Sequence, residues 1–95
     1  MASIVDFKGN KTLLLNPDEE YKVYFGREKC KKIMDSFYSI RMHVISYQGL
    51  AGKKPSITIC EGTQYPIELS YYKCEKIVEY QVEIRQFAEE GKILC

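Results

Sequence analysis

At 95 residues, with 14 basic side chains against 13 acidic ones and a net charge of +1, the chain has room for one small domain and no second core. Leu, Ile, Val and Phe make 25 of its residues, which places it above the composition at which disorder is the default. The balanced charge (+2 up to Gln48, −1 after it) excludes a polyanion mimic and a broadly basic nucleic-acid domain, leaving only a local basic patch for such a role.

The N-terminus, Met1 to Asp6, carries neither the basic stretch nor the apolar run of a secretory signal, and no window is long enough for a transmembrane helix. The four cysteines, Cys30, Cys60, Cys74 and Cys95, therefore read as reduced thiols in a cytoplasmic protein with no membrane partner. With no Cys-x-x-Cys and a single histidine, His43, neither a metal site nor a cofactor is expected.

Ile4-Val5-Asp6-Phe7, closed by Lys8-Gly9-Asn10, predicts a first strand. In Thr12–Leu15 and Tyr21–Phe25 large apolar residues recur every second position, the period of a strand with one buried face. Asn16-Pro17-Asp18-Glu19-Glu20 between them is turn chemistry. Tyr21 is expected to face the core from the start of its strand. At 100° per residue Cys30, Ile33, Met34, Phe37, Ile40, Val44 and Ile45 form one apolar stripe, predicting a helix that Gly49 ends.

The pattern then returns. Laid over itself at an offset of 44, the chain places Thr12–Arg41 on Ser56–Arg85 without gaps, and seven of thirty positions are identical. Lys29-Cys30-x-Lys32-Ile33 recurs as Lys73-Cys74-x-Lys76-Ile77, which shared periodicity alone does not require. Ser56–Ile59 and Tyr65–Leu69 read as strands around Cys60–Gln64, with Tyr65 the counterpart of Tyr21. Pro66 cannot donate to a ladder, so its strand begins there or lies at an edge. Cys74, Ile77, Val78, Ile84 and Ala88 form the second stripe, between a Ser70 cap and Gly91; Gly26 is a weaker cap for the first helix.

Together these predict an α+β fold in one domain, 1–95. It would be a two-layer arrangement: an antiparallel sheet of four or five strands with two helices on one face. The source is a duplicated ββα unit, with repeats 12–45 and 56–89 and linker 48–55. Ile93-Leu94-Cys95 is expected to add a short tail strand.

Arg41 lies about 20° from Cys30 around the helix, on its apolar side, and Arg85 is its counterpart. An arginine there needs a carboxylate, carbonyls or a phosphate, or must snorkel out, so both are candidate partner-binding residues. Leu14, Lys22, Tyr24 and Thr58 point to the sheet face opposite the helices, which a short chain leaves uncovered; such faces serve partner binding or self-association. Lys29, Lys31 and Lys32, joined by Lys53 and Lys54, form a candidate phosphate-contacting patch with Tyr38 or Tyr24 as a base-stacking residue. Glu75, Glu79 and Glu83 dilute that pattern in the second helix. Cys30 and Cys74 sit on buried stripes as small hydrophobes, a bridge between them being the minor alternative, and Cys60 is the most reactive thiol expected. His43 is expected to face solvent.

No phosphate loop, paired catalytic carboxylates or oriented Cys–His pair is present, so no catalytic residue is expected and the chain does not read as an enzyme. The expected function is a non-enzymatic protein-interaction module, a regulator, inhibitor or assembly subunit able to self-associate, acting through its exposed sheet face. Nucleic-acid binding through the basic helix patch and tyrosines is the alternative.

Overall fold

The computed structural model describes residues 2–93. Their order is β1 (Ala2–Phe7), β2 (Asn10–Leu15), β3 (Val23–Gly26), α1 (Arg27–Asp35), α2 (Phe37–Tyr47), β4 (Ile57–Ile59), β5 (Ile67–Leu69), α3 (Tyr71–Glu79) and α4 (Gln81–Glu90). They form a small α+β domain with two antiparallel sheets, β1-β2-β3 and β4-β5, and four helices.

The expected first strand forms. Phe7 pairs with Asn10, which leaves Lys8 and Gly9 as a two-residue turn with both φ values positive (52° and 81°). That backbone follows the natural strand twist, and glycine enters it freely. Beyond it Ile4 pairs with Leu13 and Leu13 with Phe25, while Leu15 faces Ala2 and Val23. These side chains share one face, and that face enters the core.

The single sheet of four or five strands does not form. Ile57 pairs with Leu69 and Ile59 with Ile67, but among the described residues β4 and β5 pair only with each other. Pro55 and Pro66 flank these short strands and supply no N–H, and the second half has no counterpart of β1. The halves join through helices instead: α1 packs on α4, and α2 on α3. Leu13, Phe25, Ile33, Ile40, Leu69, Ile77, Ile84 and Phe87 from both halves lie in one buried cluster.

Each expected helix is also two. The chain leaves helical geometry at Ser36 (φ −107°, ψ 15°) and at Tyr80 (φ −105°, ψ 26°), positions 44 apart. Hydrogen bonds continue across the bends, from the Ile40 N–H to the Ser36 carbonyl (3.2 Å) and from the Ile84 N–H to the Tyr80 carbonyl (3.0 Å). Each bend shifts the helix phase, so a wheel drawn straight through it misplaces some of the residues on its far side. Ile40 and Ile84 are fully buried as expected, whereas Ile45 is half exposed and Arg41 and Arg85 turn to solvent. Phe87, off the projected stripe, enters the core.

Local detail repeats with the same offset. β5, α3 and α4 each begin 44 positions after β3, α1 and α2. Asn16 and Cys60 open the hairpin loops with positive φ (56° and 58°), and each carbonyl accepts from the N–H three residues on. The Cys30 thiol lies 3.9 Å from the Phe25 carbonyl, and the Cys74 thiol 4.0 Å from the Leu69 carbonyl. Arg27 donates from Nε to the Ala88 carbonyl (3.2 Å) and from Nη2 to that of Glu89 (2.9 Å); its counterpart Tyr71 donates to the Val44 carbonyl (2.8 Å). Each half thus satisfies carbonyls in the last turn of the other half's second helix, which have no partner within that helix. The Arg27 charge also opposes the negative end of the α4 dipole.

Tyr21 and Tyr65 precede their strands and are exposed, contrary to the core position expected of them. Tyr21 instead meets Tyr72 of α3 edge-on, while Lys32 of α1 lies over the Tyr65 ring. Of the expected tail strand, residues 94 and 95 lie outside the described residues, and Ile93 is not in a strand but packs against the core. Gly91, at φ 73°, ends α4 as expected.

Candidate functional site

On the outer face of the three-stranded sheet, Phe7 and Tyr24 are each nearly half exposed (49% and 44%), their ring centroids 5.6 Å apart. Leu14, expected on this exposed surface, is buried. Its strand is central, with Ser3 across from it on β1 and Tyr24 on β3, so both neighbours cover it. Tyr24 keeps its expected place. Lys22 is exposed but lies before β3, beside a smaller cavity with Tyr21, Tyr72 and Lys73. Thr58 is exposed on the other sheet, opposite Glu68. The four expected residues do not form one surface.

A cleft of about 890 Å³ adjoins the Phe7–Tyr24 pair, running from the β1–β2 turn to the start of α1 and the end of α4. Four cations line it, Lys8, Lys11, Arg27 and Lys29, against two carboxylates, Glu28 and Glu90. Lys8 reaches over Phe7, with Nζ 5.6 Å from the ring centroid. Arg27 is held on the α4 carbonyls. Glu28 pairs with Lys31 at 3.3 Å, an exposed contact of little energetic weight. Gly26 leaves the cleft open beside Thr12, since a β-carbon there would meet nothing within 4 Å.

The expected lysine patch is divided. Lys29 lines this cleft, Lys31 is in its ion pair, and Lys32 sits on Tyr65. Lys54 stands 4.7 Å from the Tyr71 ring centroid where α3 begins, Lys53 is exposed beside it in sequence, and Tyr38 is 73% exposed on α2. The two candidate arginines also lie apart. Arg85 lines a groove between α1 and α4 with Arg27, Asp35 and Glu89, whereas Arg41 lies on α2, which packs on α3.

His43, expected to face solvent, is half-buried. Its Nε2 is 2.8 Å from the Pro55 carbonyl, which can only accept, so this nitrogen donates. Among the described residues no three His, Cys, Asp or Glu side chains gather to hold a metal ion, and no helix is long and apolar enough to cross a membrane.

Cys30, Cys60 and Cys74 are free thiols. Desolvation pushes Cys30 up to about 12 against the opposing pull of Lys29, and pushes Cys74 up to about 11 with Glu75 adding to it. An unfolded chain releases such protons from about pH 8.5 upward while the folded one retains them. Their contribution to stability is therefore whole below that pH and is lost as pH rises toward 11 and 12. Iodoacetamide at mildly alkaline pH should alkylate half-buried Cys60 well before Cys30 and Cys74, which it should spare until urea is added, as read by peptide mass mapping. Equal rates at Cys30 and Cys60 in the native protein would refute this.

Comparison with known proteins gives no match to a protein family, a curated protein or a solved structure.

Sequence reasoning missed Phe7, Lys8, Lys11 and Arg27. The signal was present: a two-residue Lys-Gly turn sets the register that puts Phe7 on the outer face and brings the lysines to its edge.

Proposed function

We propose that this protein is a non-enzymatic interaction module that binds a protein partner through the outer face of its three-stranded sheet, around Phe7 and Tyr24. The observation that supports this is an exposed pair of touching aromatic rings bordering a cleft. Aromatic rings of this kind offer large contact area at low conformational cost and are frequent anchors of protein interfaces. The halves are read as a duplicated unit, a reading favoured by their common turns, bends and thiol contacts. The second half lacks β1, so the binding face belongs to the first. The free thiols suit a reducing, cytoplasmic setting.

Nucleic-acid binding is the second reading, favoured by the cations beside those rings. Capture from nuclease-treated lysate separates the two. Immobilised wild-type protein should retain a partner that a Phe7→Ser, Tyr24→Ser double variant, folded by thermal melting, retains at least about tenfold less well. Equal retention by both proteins would remove the sheet face from the function. Retention abolished by nuclease and falling steeply with salt would favour nucleic acid.

A further inference from the structure

We infer that the cleft beside Phe7 and Tyr24 takes an acidic peptide segment: an apolar side chain on the aromatic pair and carboxylates among Lys8, Lys11 and Lys29. This rests on the interaction reading above and adds the chemistry of the partner. The argument is charge complementarity. The chain as a whole carries only +1, yet its cleft gathers four cations against two carboxylates. Arg27 already serves two carbonyls, Glu28 is paired with Lys31 and Lys8 lies over the Phe7 ring, so Lys11 and Lys29 remain to meet a ligand, with Lys8 at the aromatic end of the cleft. They stand on two different elements, Lys8 and Lys11 at the hairpin turn and Lys29 on the first turn of α1, with the exposed rings between strands β1 and β3 beside them.

A peptide fits this arrangement better than a nucleic acid does. A strand of nucleic acid repeats its charge and needs a continued track of cations. Here Lys31 is paired, while Lys32 and Lys54 lie on tyrosine rings and not in this cleft. Glu90, which also lines the cleft, interrupts any such track. A short segment carrying one or two carboxylates meets the lysines without following such a track, and its apolar residue covers aromatic surface otherwise left in water.

The test is selection of a random dodecapeptide display library on the whole protein, followed by titration of a selected peptide by fluorescence anisotropy. Selected sequences are expected to be enriched in Asp and Glu around a hydrophobic residue. A Lys8→Gln, Lys11→Gln, Lys29→Gln variant should bind the chosen peptide at least about tenfold more weakly, and Lys53→Gln unchanged. Binders without acidic enrichment, indifference to the triple variant, or no binders at all would overturn the proposal. A single-stranded oligothymidylate that binds more tightly and displaces the peptide would overturn it in favour of nucleic acid. The two readings fail separately. If Phe7 and Tyr24 still govern capture from lysate while acidic residues are not selected, the sheet-face function stands and the acidic partner falls.

Discussion

Phe87→Ala is expected to cost about 3–5 kcal/mol, the range for removing a buried phenylalanine ring. The residue is 1% exposed and belongs to the cluster shared by both halves. It lies on α4, which packs against α1, so its ring stands where helices join halves that no strand pairing joins among the described residues. Neighbours can refill little of the space, because α4 is also tied to α1 by the Arg27 bonds to Ala88 and Glu89. A domain of this size has about 5–14 kcal/mol of stability in total, so the variant would lose a large share of it. Urea unfolding should show a lower midpoint with little change in slope. A loss under about 1 kcal/mol would mean that the α1–α4 contact contributes little to the core. Its counterpart by offset is His43, which bonds the Pro55 carbonyl at the half-buried edge, so the halves are not interchangeable here.

Asn16→Ala is expected to cost about 2–3 kcal/mol, from two separable causes. The amide is 3% exposed; its Nδ2 donates to the Tyr72 hydroxyl (2.9 Å), and its Oδ1 accepts from the Tyr80 hydroxyl (3.2 Å). Both tyrosines come from the other half, so a loop residue of one hairpin is read by α3 and by the bend before α4. Alanine loses both bonds, each of net worth about 1 kcal/mol. It must also hold φ at 56°, a region that asparagine tolerates and alanine does not favour. Asn16→Gly separates these terms, since glycine adopts that backbone freely but has no amide. It should recover about 1 kcal/mol of the alanine loss. Equal losses for glycine and alanine would assign the whole effect to the side-chain bonds. A negligible loss for alanine would show that the buried amide does not couple the halves.

How far the sequence could be read differs from element to element. The strands around Leu13, Phe25, Ile59 and Leu69 were legible because alternation depends on the strand's own period of two. Hairpin turns were legible for a similar reason: Asn16-Pro17 and the residues around Gly62 act on their own backbone. The first half of each helix followed its wheel, with Cys30, Ile33, Cys74 and Ile77 fully buried as expected. Beyond Ser36 and Tyr80 the wheel still placed Ile40, Ile84 and Ala88 in the core but misplaced Ile45, Arg41, Arg85 and Phe87, because a bend without proline or glycine has no strong local signal. Arg41 and Arg85 lie beyond those bends, and both are exposed.

By itself, then, the sequence determined the local units: hairpin followed by helix, twice, with inner faces of strands and first helices marked by their periods. It also carried an internal correspondence 44 residues apart that the starts of β5, α3 and α4 follow. Tertiary structure decided how the units meet. Burial could be satisfied either by one continuous sheet or by helices crossing between two short sheets, and periodicity is the same in both. The contacts of α1 with α4 and α2 with α3, with Arg27 and Tyr71 closing opposite helix ends, select the second. The candidate site arises in the same way. Phe7 and Lys11 stand well before Tyr24 and Lys29 in the chain, and the β1-β2-β3 register and the start of α1 bring the two pairs to one cleft.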